Sequence, residues 1–189
     1  MNFIEQLQQY QPIHTQEITD KRAMSWMIQQ FPDTILFREN PIAHMTASGF
    51  IVNREYTKTL MIHHNLYNSW GWTGGHADGN CNLLQVAIKE AKEETGVSII
   101  EPLTPNLVSI DILPVFSHEK HATFVNTHLH FCYSYLLLAD ETAPLHHKPD
   151  ENSGVKWIPL NQISHYCHES HMLPIYQKLI EKVEFYTHE

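Results

Sequence analysis

An α/β fold, with a mixed sheet packed between helices behind a helical N-terminal extension, is predicted by three features of this 189-residue chain. Met24, Met27, Ile28 and Phe31 recur at i, i+3, i+4 and i+7, which is helix spacing. After residue 40 the pattern changes to short β-branched and apolar runs. Strand and helix patterns then interleave to the C-terminus, an order that layers helices on a sheet.

Phe3, Ile4 and Leu7 form a first short apolar stripe, and Pro32-Asp33 closes the helix that carries Met24. His44–Asn53 and Thr59–His64 read as strands, with Asn53–Lys58 as their hairpin connection. Trp70–Asn80 holds four of the seven glycines and reads as a loop. Asn82–Thr95 reads as a helix capped by Gly96. Val108–Leu113, Thr127–Leu138 and Val155–Ile158 read as strands. A final helix spans Pro174 to about Phe185, with Ile175, Leu179 and Val183 on its apolar face. The organisation expected is an extension over 1–40 and a single domain over 41–189.

Composition removes several functional classes. Twelve Lys+Arg stand against 21 Asp+Glu, a formal charge of −9, and no basic cluster offers a nucleic-acid surface. A polyanionic substrate would need a cation that the protein recruits. No apolar run approaches the ~18 residues of a membrane span. The first residues lack a basic segment followed by an apolar one, so no secretory signal is expected. Cys81, Cys132 and Cys167 are scattered and odd in number, which predicts a reducing, cytoplasmic setting.

The strongest chemical signal is KEAKEETGV over 89–97. At about 100° per residue, Glu93 and Glu94 lie within roughly 60° of Glu90, so three carboxylates share one side of the helix. Leu84, Ile88, Ala91 and Thr95 make the adjacent buried face. Like charges at i, i+4 near a helix C-terminus oppose both their neighbours and the dipole. A divalent cation would relieve both penalties, and hard oxygen donors suit Mg²⁺ or Mn²⁺. The plainer alternative is a solvated acidic face, with Lys89 and Lys92 as counter-charges.

GHADGNC at 75–81, followed after seven residues by KEAKEETGV, resembles the Nudix box, G-x5-E-x7-R-E-U-x-E-E-x-G-U with U a bulky aliphatic. The spacing holds without a gap over 23 positions, Gly75 to Val97. WGWTGGH at 70–76 is similar to the usual approach to the box, and Glu151 to Leu160 to the last strand of many members. Cys81, Lys89 and Ala91 depart from the pattern at the first Glu, the Arg and the aliphatic position; Thr73 stands where Pro is usual. The Cys81/Lys89 change touches a supporting ion pair, since Lys lacks the planar two-pronged contact of Arg. Glu90, Glu93 and Glu94 are retained.

The resemblance implies a Nudix-type α/β/α sandwich and hydrolysis of a nucleoside diphosphate linked to another group. It makes Glu90, Glu93, Glu94 and the Gly74 carbonyl the metal ligands. Glu93 or Glu151 then serves the attacking water. Apart from the resemblance, His76 follows Gly75 in the loop and reads either as a phosphate contact or as a turn residue capping the helix entry. The partner is a small nucleotide-like diphosphate. The alternative is a catalytically silent Nudix domain that binds a nucleotide as a sensor, for which the Cys81/Lys89 change is the support. Isoprenoid diphosphate isomerisation is disfavoured because no matching motif surrounds Cys81.

Four further groups have a plain reading beside a functional one. His128, His130, Cys132 and Ser134 alternate onto one strand face, a zinc-competent set more simply read as the polar side of the sheet. His165, Cys167, His168 and His171 lack paired ligand spacing. Trp70, Trp72 and Trp157 are read as packing residues rather than base-stacking ones. Met24, Trp26 and Met27 form a stripe that either covers the domain or makes a homodimer contact.

Overall fold

The computed structural model describes residues 2–120 and 123–187. Two helices come first. Helix α1 (Phe3–Gln9) opens with a capping box in which Asn2 accepts from the Glu5 N–H and Glu5 accepts from the Asn2 N–H. Helix α2 (Thr15–Gln30) stops just before Phe31-Pro32. Phe3, Leu7, Met24, Met27 and Ile28 are buried, while Trp26 points outward. The stripe of the extension therefore covers the sheet.

The sheet is mixed and curled, with a long parallel pair at its centre. β1 (Ala43–Val52) and β9 (His128–Ala139) run side by side from Ala43 opposite Leu129 to Val52 opposite Leu138. The outer edge of β1 is shared. Its first half pairs with β4 (Thr73–His76), and its end pairs with β2 (Lys58–His64). β2 carries β3 (Ser69–Gly71) and β10 (Asn152–Pro159). The far edge of β9 is shared in the same way by β6 (Ser109–Val115) and β5 (Ile100–Pro102). β7 (His118–Lys120) and β8 (Thr123–Val125) form a separate two-stranded ribbon.

Alternation sorts the two faces. Ala43, Met45, Ala47 and Ile51 of β1 join Phe131, Tyr133, Tyr135 and Leu137 of β9 in a core covered by α1, α2 and α3 (Leu83–Thr95). Phe50, Val52 and Leu136 face the other way, onto α4 (Ile163–Tyr166) and α5 (Leu173–Thr187). Each fully buried side chain of this size contributes roughly 1.5–3 kcal/mol, so the two cores fix both helix layers.

Three expectations need correction. The glycine-rich stretch 70–80 is half strand. β3 and β4 occupy most of it, because glycines fit where the chain lies flat against β1 and the box helix. The buried side of α3 is centred on Leu83, Val86, Ala87, Ala91, Glu94 and Thr95; Leu84 and Ile88 are only partly buried. The packing surface is the concave sheet plus β4, and it rotates the helix so that one acidic residue faces inward. β5, the β7–β8 ribbon and α4 carry no clear period and were not anticipated.

Candidate active site

The box helix is seated against β4 by its own carboxylates. Asn82 caps the N-terminus by accepting from the Gln85 N–H, and Gly96 closes the C-terminus at φ 73°. Between these caps Glu90 lies on Gly75: a Cβ there would sit 2.5 Å from the Glu90 Cδ. One turn on, the Gly74 N–H donates to Glu94 Oε2 at 2.9 Å. Two successive glycines thus let the strand approach two successive turns of acidic helix.

Exposure grades the three carboxylates. Glu93 is open to solvent, Glu90 is mostly covered, and Glu94 is 3% exposed. Burial pushes the Glu94 carboxyl up to about 8, with Glu90 and Glu151 adding like-charge repulsion against the Gly74 hydrogen bond. Lys89 Nζ contacts Glu90 Oε1 at 3.0 Å and Glu93 Oε2 at 3.3 Å.

The late acidic turn is brought to the same place. Lys148 Nζ lies 3.0 Å from Glu151 Oε1 and 3.9 Å from Glu93 Oε2, so it links the loop to the helix. The next residue, Asn152, is buried and donates to the Glu94 backbone carbonyl at 3.1 Å. Glu90, Glu93, Glu94, Glu151 and Gly74 therefore form one group. Their donor set is all oxygen, one member is desolvated, and a Gly75 cradle fits against Glu90. These residues suit a hard divalent cation.

His76 is not in that group. Strand alternation turns it to the opposite face of β4 from Glu90, against His44 and His130. Cys81 is exposed beside the N-cap of α3. The loop bracing absent from Cys81 and Lys89 is supplied elsewhere: Arg38 makes a two-pronged contact with Asp78 on the box loop, its Nε donating to Oδ1 at 2.8 Å. Phe37 packs on Gly79 of the same loop. Lys148, Asn152 and Arg38 were missed from sequence. Only the Lys-Pro-Asp-Glu-Asn run at 148–152 offered a signal.

Trp70, Trp72, Trp157 and Cys167 pack, while His165, His168 and His171 are exposed. Trp70 meets Tyr166 and Trp72 meets Tyr176 edge-on, at 6.4 and 5.6 Å between centroids. Cys167 is buried in the core beneath α5, and His171 lies 3.8 Å from Glu169.

A family model described as the NUDIX domain matches residues 43–179. No curated protein matches the chain in sequence. Solved structures share the fold. An Ap4A hydrolase of C. elegans in a binary complex is 16% identical, with a TM-score of 0.52 over 74% of this chain and 97% of its own. The E. coli dihydroneopterin triphosphate pyrophosphohydrolase is 14% identical, with a TM-score of 0.54 over 73% and 95%. The NUDIX domain of Shewanella oneidensis NrtR, complexed with ADP ribose, is 18% identical, with a TM-score of 0.50 over 82% and 97%. At these identities the likeness is one of fold.

Proposed function

The chain belongs to the Nudix family, and from that premise we propose that it hydrolyses the pyrophosphate bridge of a nucleoside diphosphate linked to a second group. The observation that carries this reading is the seating of Glu90 on Gly75 and of Glu94 on the Gly74 N–H, with Glu93 and Glu151 beside them.

Glu90, Glu93 and Glu94, with the Gly74 carbonyl, would hold Mg²⁺ or Mn²⁺. Such an ion supplies charge neutralisation for phosphate oxygens and a template for in-line attack by water. The chain's own residues do the rest. Glu151, half-exposed and held by Lys148, would accept a proton from the attacking water, and Glu93 would orient that water. Lys148 keeps the two carboxylates from separating. Asn152 anchors the loop to the last turn of α3, which fixes Glu151 relative to Glu94. The three free cysteines favour a reducing, cytoplasmic setting. Among the described residues no helix is long and apolar enough to cross a membrane.

The test is a panel of dinucleoside polyphosphates, nucleotide sugars, ADP-ribose and oxidised nucleoside triphosphates, with and without Mg²⁺. Metal-dependent release of nucleotide is expected. Glu94→Gln should lower turnover by ~100-fold or more with the fold retained, and Glu151→Gln should lower kcat with little change in KM. Unchanged turnover in Glu94→Gln, or hydrolysis indifferent to divalent ions, would remove the assignment. Tight nucleotide binding with no hydrolysis would favour the sensor alternative instead.

A further inference from the structure

Outside the acidic group, the described residues contain one set of side chains with ligand geometry. His44 on β1, His76 at the end of β4 and His130 on β9 each place a ring nitrogen within 4.8 Å of the others. The register of the sheet makes this meeting. His44 stands opposite His130 in the parallel pair, and His76 stands opposite Thr46, two residues along β1 from His44. The rings converge tilted or edge-on, at 5.0, 5.0 and 4.9 Å between centroids, rather than stacked. We propose that His44, His76 and His130 form a second divalent-metal site, built of nitrogen donors and selective for an ion of the Zn²⁺ class.

His44 supplies an independent reason. It is 3% exposed, and its Nδ1 lies 3.3 Å from the Asn40 carbonyl. A carbonyl only accepts, so Nδ1 carries the hydrogen and Nε2 carries the lone pair. That Nε2 is buried without a hydrogen-bond partner. A buried polar atom left unpaired is costly and rare. An imidazole whose far nitrogen is fixed by a backbone carbonyl is also how a metal-ligating histidine is oriented.

The neighbours support the same arrangement. His128 Nδ1 lies 2.8 Å from the Asn126 carbonyl, and its Nε2 is 3.3 Å from His130 Nε2. By the same donor rule His128 is an acceptor toward His130, which holds that ring in place. Arg38 also bears on His44 and His130, but its charge is matched by Asp78. A tetrahedral ion with bonds of about 2.0–2.1 Å needs its nitrogens about 3.3 Å apart. Closure from 4.8 Å or less therefore takes little more than rotation about the side-chain bonds.

This site is distinct from the acidic one. Alternation on β4 places Gly75 against Glu90 and His76 on the opposite face. The donors differ too, since imidazole favours Zn²⁺, Co²⁺ and Ni²⁺ over Mg²⁺. The ion would tie β1, β4 and β9 together at the end of the sheet where β4 runs into the box loop. His76 thereby takes a ligand role in place of a phosphate contact.

The test uses the full chain, stripped of metal and titrated with Zn²⁺ against a chromophoric chelator, and with Co²⁺ by visible spectroscopy. One tight equivalent per chain is expected, persisting in a Glu90→Gln/Glu93→Gln/Glu94→Gln variant. The Co²⁺ bands should be those of a tetrahedral site without sulfur-to-cobalt charge transfer, which excludes the three cysteines. His130→Gln and His76→Gln should each weaken Zn²⁺ by more than the ~10–100-fold typical of second-shell losses, and Zn²⁺ should raise the melting temperature only where the site is intact. His44→Gln should do the same. If its burial prevents folding, the His76 and His130 variants, checked by near-UV circular dichroism, decide the matter. The proposal is overturned by absence of Zn²⁺ binding in the wild type. It is equally overturned by Zn²⁺ affinity that is unchanged in both decisive variants or lost in the triple Glu variant.

Discussion

Burial forces a choice on Glu94: it holds a proton or it faces a cation. Its carboxyl sits at about 8 in the folded protein against an ordinary 4.5. Between those values the native state keeps a proton that the unfolded chain has released, so this group favours folding at low pH. That contribution is lost as pH rises from about 4.5 through about 8. The metal-free protein should therefore melt at falling temperature across that window. Glu94→Gln should flatten the slope, and Mg²⁺ should reduce it in the wild type by replacing the proton. Parallel slopes in wild type and variant, measured by thermal scans, would contradict the placement of Glu94. The two glycines beside it separate site from scaffold. The three atoms nearest an added methyl at Gly75 all belong to the flexible Glu90 side chain. Gly75→Ala should therefore weaken Mn²⁺ binding about tenfold and leave the urea midpoint nearly unmoved. At Gly74 the methyl meets Ser48 Oγ at 2.5 Å and the Ala47 carbonyl at 2.8 Å, so Gly74→Ala should cost about 1–3 kcal/mol of stability. The acidic trio was legible because helical spacing alone gathers it. Lys148, Asn152 and Arg38 were not legible, because only tertiary folding brings the first two to α3 and Arg38 to Asp78 on the box loop.

At the level of elements, α2, β6 and α5 are locked by a buried ionic group that the sequence disguised as surface charge. Glu17, fully buried, accepts from Tyr10 Oη at 2.5 Å and Ser109 Oγ at 3.2 Å. Lys178 and Lys182 stand 3.4 and 3.9 Å from its carboxylate, and Lys178 also reaches Asp111 at 2.8 Å. The apolar period of α5 marked Leu179 and Val183 correctly, but nothing in it distinguishes a buried lysine from an exposed one. Partners supplied by a helix some 160 residues away leave no local trace. Removing one member strands the others without water. Glu17→Ala should lower the unfolding free energy by about 3–5 kcal/mol, read from urea denaturation, with most of the loss appearing in the unfolding rate if the group forms late. A change below about 1 kcal/mol would mean that the group is solvated. The long strands were readable because alternation and β-branched residues persist for several residues. β3, β4 and β5 were not, being three or four residues long and rich in glycine or edge positions.

For the whole molecule, the family match and the folding unit do not coincide. The match begins at residue 43, yet α1 and α2 lie in the same core as β1, β9 and the box helix. Tyr133 and Tyr135, at the centre of β9, donate their hydroxyls to the Phe3 carbonyl at 3.1 Å and to Gln6 Oε1 at 2.5 Å. Tyr10 Oη also lies 3.1 Å from the Val108 carbonyl. The boundary near residue 40 was readable as a change of period, but period says nothing about whether the preceding helices are separable. We propose that they are not. A chain starting at residue 41 loses Phe3, Leu7, Met24, Met27 and Ile28 as core-covering groups. At roughly 1.5–3 kcal/mol each, that loss is of the size of a whole domain's stability, about 5–15 kcal/mol. It also leaves two tyrosine hydroxyls without their partners. Such a truncation should give no cooperative urea transition and no dispersed amide NMR spectrum, while the full chain gives both. A truncated protein that unfolds cooperatively near the full-length midpoint would show that the sheet is self-sufficient and that the extension is an attachment to it.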